Sequence, residues 1–436
     1  MSTHDTTQPL AGHGRAIVSA LLRNGPQSRT ELSAALDLSA GSLTRLSKPL
    51  LEAGIIVETP TENVMGIGRP SVPLTFHHDA YRFIGIKLTK THVYGALTRA
   101  DAEIEQLVAE PLDASTPDAA LTQVARIVAE LEELSPVRVH AIGVAIGGHV
   151  RDRRFLTYAD HLGWSDIDLA GALENLTGIT TVVENDILAH MQATHWFGEG
   201  RGTDSFALFT IGAGIGSGLV AHGEIVSSPD AGYSLMSHFP LETRALARFE
   251  RNAEASVSGL FQGAPATDAT AAGLAGSGGT AADSSTSAAG RHVAATQPGL
   301  FEAECGHHAC ATAMLTLQEL ELRASRVIGR PVSFDQLMGL AAAGDPQARG
   351  LLDASGYALG TMFAAIANLT LAGRIVLGGE ACELASVSAD AVNRGLHDHR
   401  DHRAADPEIR VQDPNLALWT RGAAVIAMHD TLLGRD

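Results

Sequence analysis

Between Ser28 and Gly54 the chain reads SRTELSAALDLSAGSLTRLSKPLLEAG, and this stretch restricts the possible folds more than any other. Ser28 and Glu31 have the spacing of a capping box, in which each satisfies a free backbone donor of the other at a helix start. Leu32, Ala35 and Leu36 then fall on one face of a short helix. Asp37-Leu38-Ser39 supplies a tight turn and a second N-cap. The helix that follows turns Leu43, Leu46 and Leu50 inward and leaves Ser42, Thr44, Arg45, Ser47 and Lys48 outside. Pro49 predicts a kink just past Lys48, because proline removes one backbone donor. Two short helices on a tight turn, the second showing hydroxyls and cations, suit the major groove of duplex DNA. Ser39 to Lys48 is therefore the expected reading segment.

The flanks extend this unit. Residues 1–12 read as a floppy leader, and Arg15 to Arg23 as a helix with Ile17, Val18, Leu21 and Leu22 inward, ended by Asn24-Gly25. After Gly54, Ile55-Ile56-Val57 predicts a strand, Pro60 to Asn63 a turn, Val64-Met65 a return strand, and Gly66-Ile67-Gly68-Arg69-Pro70 a basic tip. Three helices and a hairpin make a winged helix-turn-helix, with Arg69 placed for a minor groove or a phosphate. A small helical protein-contact domain is the competing reading. Across residues 1–76 six cations meet six acids, so the acidity behind the net charge of -18 belongs to the rest of the chain. That charge excludes a protein that coats nucleic acid over its whole surface. Three cysteines make no disulfide framework and point to a reducing cytoplasm. No apolar run long enough for a bilayer and no signal peptide are read, so no membrane partner is expected.

From about Tyr81 the texture changes. Phe83, Ile84 and Ile86, then Val93, Tyr94 and Leu97, predict a strand pair. Thr116-Pro117-Asp118 opens a helix striped by Leu121, Val124, Val128 and Leu131. Strands follow at 139–144, 181–183, 206–210 and 375–377, a long helix starts at Asp345-Pro346, and a last helix runs from Thr420 to Leu433. Strands alternating with helices imply an α/β body. Residues 264–297 are almost all Ala, Gly, Ser and Thr, which predicts a mobile loop or a short alanine helix.

Taken in order, several motifs resemble the ROK family (repressor, open reading frame, kinase). They are Gly68-Arg69-Pro70, His161-Leu162-Gly163-Trp164, Glu184-Asn185-Asp186, the alternating glycines of 212–218, Cys305-Gly306-His307-His308-Ala309-Cys310 and Arg421-Gly422-Ala423-Ala424. The resemblance implies an α/β, actin-like two-lobed sugar-kinase fold behind an N-terminal winged helix-turn-helix. The expected divisions are residues 1–76 for the head, 77–200 with the helix at 420–434 for one lobe, and 201–419 for the other.

The departures from that family bear on function. Its kinases open the body with Asp-x-Gly-Gly-Thr, where the glycines let backbone amides approach nucleotide phosphates; here the stretch is Lys87-Leu88-Thr89-Lys90-Thr91. Loss of ATP use is the expectation. Asp186 matches the family's catalytic base and, without ATP, becomes a group that binds hydroxyls or caps a helix. Gly148, His161, Asn185, Asp186 and His238 are the ligand-site candidates the resemblance implies. Two sugar-gripping acids of the family are replaced by Leu235 and Thr312, which weakens the case for a hexose. Three of four structural zinc ligands match at His238, Cys305 and Cys310, while Ala303 stands for the fourth; Glu304, His307 or His308 would have to replace it. Zinc and a pair of ordinary thiols stay open. The implied function is a DNA-binding regulator, a homodimer or homotetramer on double-stranded operator, with a small-molecule effector such as a sugar derivative. An active sugar kinase is the alternative.

Overall fold

The computed structural model describes residues 10–59, 72–113, 116–228, 230, 233–241 and 310–434. Most of the leader, the basic tip with Arg69, the strand expected at Val64-Met65, the Ala/Gly/Ser stretch and Cys305 lie outside these residues.

The head is built from α1 (Gly12–Asn24), α2 (Arg29–Ala35), α3 (Ala40–Glu52) and two strands, β1 (Ile56–Glu58) and β2 (Leu74–Phe76), paired antiparallel. The capping box at Ser28 and Glu31 is formed, with Ser28 N donating to Glu31 Oε2 at 2.7 Å. Leu32 is fully buried, but Ala35 is exposed, because so short a helix buries only the one residue its neighbours reach. One further expectation is corrected. Ser47 is buried rather than outward, since helical spacing puts it in the same stripe as Leu43 and Leu50 while Leu46 is only half-buried. Pro49, where a kink is expected, lies inside α3, which continues to Glu52, with bonds from Ala53 N to Pro49 O and from Ile55 N to Leu50 O closing its end.

The body holds two five-stranded sheets with the same wiring. The first has the order β10-β6-β3-β4-β5, from β3 (Arg82–Leu88), β4 (His92–Arg99), β5 (Ile104–Pro111), β6 (Val139–Ile146) and β10 (Thr181–Asn185). β3, β4 and β5 form an antiparallel meander, and β6 and β10 add in parallel. The expected pair is thus a triplet; the charged, half-exposed alternation of Ile104–Pro111 hides its third strand. The second sheet repeats the scheme with β13-β12-β11-β14-β15: β11 (Phe206–Ile211), β12 (Ile215–Ala221) and β13 (Glu224–Ile225) antiparallel, β14 (Arg374–Gly378) and β15 (Glu408–Val411) parallel. Between the sheets in sequence, β7 (His149–Arg151), β8 (Phe155–Ala159) and β9 (Trp164–Asp168) form a small antiparallel sheet of their own.

Alternation along β3 places the site. Ile84, Ile86 and Leu88 enter one core with α4 (Pro117–Glu133) and α5 (Leu169–Thr177). Phe83, Gly85 and Lys87 face the other way, toward the final helix, Ala417–Leu433. A methyl group on Gly85 would sit 1.9 Å from Thr420 O, and one on Gly143 of β6 only 1.7 Å from Ala423 O, so two glycines let that helix lie directly on the sheet. Its far end joins the head. Ile17, Leu21 and Leu22 share one core with Met428, Leu432 and Leu433, and Leu10 N donates to Leu432 O. The helix Pro346–Thr370 is long and apolar enough to cross a membrane, contrary to expectation, but 72% of its apolar window is packed inside the second lobe.

Candidate functional site

Two sites emerge, one on the head and one in the body. On the head, Ser39 is the N-cap of α3: its Oγ accepts from Ser42 N at 3.1 Å and donates to Ser42 Oγ at 2.9 Å. Both serines therefore hold the helix start. Thr44 Oγ1 donates to Ala40 O, leaving its lone pairs outward. Arg45 is exposed, and Lys48 is exposed beside Glu52 at 3.7 Å, a pair too wet to hold it in place.

In the body, the C-terminal ends of the parallel strands gather the chemistry, as open α/β sheets do. Lys87 ends β3, Gly147 and Gly148 follow β6, and Asn185-Asp186 end β10 and start α6 (Asp186–Phe197). Asn185 turns out to be a structural residue: its Oδ1 accepts from Ile187 N and Leu188 N, and its Nδ2 donates to Gly148 O at 2.9 Å. The α6 cap is thus Asn185 and not Asp186, which frees the carboxylate for the cleft. Lys87, only 6% exposed, donates its ammonium to Asp186 Oδ2 and lies 5.0 Å from the Trp419 ring. His161 and Asp186 both border Gly147, where a methyl would meet them at 3.3 and 3.4 Å. Burial first, then the Lys87 charge, holds His161 below the ordinary imidazole range, so it sits in the cleft as a neutral ring. Gly148 has no room for a side chain, with Tyr158 O 2.3 Å from where a Cβ would be.

The glycines of 212–218 divide between a turn and a packing surface. Gly216 and Gly218 lie in β12, against Ile187 and Met191 of α6. At Gly212 a methyl would lie 1.7 Å from Glu380 Oε2, so a carboxylate stands against the turn where a phosphate loop would need open amides.

His238 lies in a 3-10 turn (Leu235–His238) whose chain pairs with the start of the next helix: Pro240 bridges Cys310, and Thr312 Oγ1 donates to Ser237 O at 2.9 Å. The structure thus brings the chain segments of His238 and Cys310 together. Among the described residues no group of three or more metal-ligating side chains occurs.

Three aromatic rings went unread in the sequence. His149, Tyr158 and Tyr233 cluster beside Gly148, with centroids 5.3 to 6.1 Å apart. Burial, then hydrogen bonding to Tyr233, pushes the Tyr158 phenol up to about 12, so it stays a donor. His149 and Tyr233 are 84 positions apart in the chain, and no local pattern could have joined the three rings.

Comparison with known proteins adds the following. Residues 83–428 match the model described as "ROK family", and residues 12–57 one described as "Winged helix-turn-helix DNA-binding". The xylose repressor of Bacillus subtilis (strain 168) is 21% identical over 232 residues, which are 52% of this chain and 60% of the relative, so the chain spans less than two thirds of that relative's length. The DNA-binding transcriptional repressor Mlc of Escherichia coli (strain K12) is 22% identical over 83% of this chain and 79% of its own. Among solved structures, a ROK family transcriptional regulator homologous to the E. coli Mlc protein aligns over 97% of both chains with TM-score 0.71 and 19% identity. A ROK hexokinase from Thermus thermophilus aligns over 79% of this chain and 97% of its own, with TM-score 0.56 and 22% identity. At such identities these structures establish a shared fold, and no more than that.

Proposed function

Because the chain belongs to the ROK family, we propose that it is a DNA-binding transcriptional repressor whose two-lobed body senses a small molecule and does not transfer phosphate. The outward face of α3 carries the reading: Thr44, Arg45 and Lys48 stand exposed on a helix locked from behind by Leu43 and Leu50. The relatives named above as repressors support it. So does the cleft, where Lys87 occupies Asp186 and Glu380 stands against Gly212, an anion at the place where a nucleotide would bring more negative charge.

The effector proposed is a small polyhydroxylated molecule of sugar type, hydrogen-bonded by Asp186 and His161 and laid on the rings of Tyr158 and Tyr233. The final helix offers a path from cleft to head, with Trp419 over Lys87 at one end and Leu432 in the head's core at the other. An effector that prefers one lobe arrangement would change how the head is presented. A single short reading helix on a near-neutral head is a weak reader, which supports a dimer or tetramer on double-stranded operator. For the metal, the pairing of Pro240 with Cys310 supports a structural zinc on His238, Cys310 and residues outside the described set, Cys305 first; zinc analysis of the purified protein tests it, and metal-free protein of full stability would leave ordinary thiols.

Selection of bound fragments from the source genome, followed by gel shifts with candidate sugars, is the central experiment. Recovery of a discrete operator is expected. No enrichment over bulk DNA, or hexose-dependent ADP release that needs Asp186, would overturn the reading.

A further inference from the structure

A cavity of about 480 Å³ lies at the junction of head and body, lined along α6 by Leu188, Gln192, His195 and Trp196 and by neither Lys87 nor Asp186. That volume is in the range of small-molecule sites. Arg15, Ser19 and Arg23, spaced four apart on one face of α1, form the head's wall, and Arg153, Gln192 and His195 belong to the body's.

Two features of the lining suit a polar occupant. Gln192 and His195 are 8% and 7% exposed and both line the cavity, and among the described residues neither the carboxamide nor the imidazole is given a hydrogen bond to the protein. Their polar atoms are not sealed off from it, so a ligand entering there meets donors and acceptors that the fold does not already use. The second feature is charge. Three guanidiniums line the cavity against two carboxylates, Glu184 and Glu224, in a chain whose net charge is -18. Arg153 already meets Glu184 at 3.2 Å and Asp430 at 3.3 Å. Arg23 makes no ion pair among the described residues, and its charge instead bears on His195. Burial and that charge keep His195 neutral at pH 7, with one ring nitrogen to donate and one to accept.

We propose that this cavity binds a small organic anion, its charged group on Arg23 and its remaining polar atoms on Gln192 and His195, so that the ligand ties α1 to the body. Such a ligand holds the head in its docked position, because one wall belongs to each part. It is a second site, separate from the effector cleft, and its occupancy is measurable without DNA.

The test uses the full chain and isothermal titration with three probes: inorganic phosphate, glucose 6-phosphate and citrate, in buffers free of other oxyanions. Phosphate monoester and carboxylate sources are thereby told apart. Saturable binding of at least one probe is expected in the wild type and in Asp186→Asn, whose change lies in the cleft. Arg23→Ala and Gln192→Leu each weaken it about tenfold or more, the effect of losing one hydrogen bond to a charged or buried group. Melting curves without ligand show whether each variant is folded; Arg23 is half-exposed, and only its backbone carbonyl is used, by Arg201 Nε at 2.6 Å. No saturable binding of any probe to the wild type, wild-type affinity in both cavity variants, or binding lost with Asp186→Asn would each overturn the assignment. Failure of the DNA-binding reading would leave these titrations unchanged.

Discussion

Lys87 shows how sheet register can bury one charge against another. Its neighbours in register are Ala145 of β6 and, through that strand, Glu184 of β10, so the parallel pairing delivers its ammonium to the start of α6, where Asp186 begins. Both side chains are largely buried, at 8% and 16% exposure. Removing one partner of such a pair strands the other charge. Lys87→Ala is expected to lower stability by about 3 kcal/mol, and Lys87→Ala with Asp186→Asn by clearly less than the two singles summed, as urea unfolding would measure. Equal, additive losses would mean that the two groups do not interact. The buried histidines set the acid side of the stability curve. Burial, with help from Arg23, holds His195 down to about 4, and burial lowers His190 as well, its Nε2 sharing a 2.7 Å hydrogen bond with Gln412 Oε1. An unfolded histidine takes its proton near pH 6.5, whereas the folded His195 resists until about 4. The stability from keeping it neutral is complete above pH 6.5, declines as the pH falls, and is gone below 4. Denaturation midpoints in anion-free buffer should fall between pH 7 and pH 4, and His195→Phe should flatten that slope. A slope unchanged by the substitution would assign it to other groups.

At the scale of elements, the capping box at Ser28 and Glu31, the Thr116 and Asp345 caps and the apolar stripes each lie within a few residues in sequence, and the helices they predict are the ones observed. The exceptions have local causes. Ser47 is small and can bond back to Thr44 O, so polarity does not force it outward. Pro49 costs one bond in the last turn of a helix already held by its buried stripe. The outward face of α3 carries the prediction for this scale. Arg45→Ala should weaken operator binding by about 1–3 kcal/mol if it meets a base edge, with fold and melting unchanged. Ser39→Ala should instead cost about 1 kcal/mol of stability through the lost cap. Gel shifts and thermal melts separate the two, and unchanged affinity in Arg45→Ala would remove it from the interface.

Over the whole molecule, the head is not a bead on a string but shares its core with the final helix, which also closes the cleft. Exposed apolar surface in the second lobe bears on the self-association proposed above. Leu369 and Leu371 are 74% and 84% exposed at the end of the long helix, and Leu371 holds φ 56°, a left-handed cap that glycine would fill with less strain. Two exposed leucines, one of them strained, fit a contact with a second copy. The double variant Leu369→Asp, Leu371→Asp should sediment closer to a monomer than the wild type with unchanged circular dichroism; unchanged sedimentation would put the interface elsewhere. What the sequence determined by itself were the parts whose causes are local: helix starts, apolar stripes, the outward hydroxyls and cations of α3, and the motif order that resembles the ROK family. Only the tertiary structure joined Lys87 to Asp186 across 99 positions, brought Glu380 to Gly212, gathered three aromatic rings beside Gly148, and opened a cavity between α1 and α6. Those contacts come from sheet register and from where the final helix lands, and long-range pairing leaves no periodic trace along the chain.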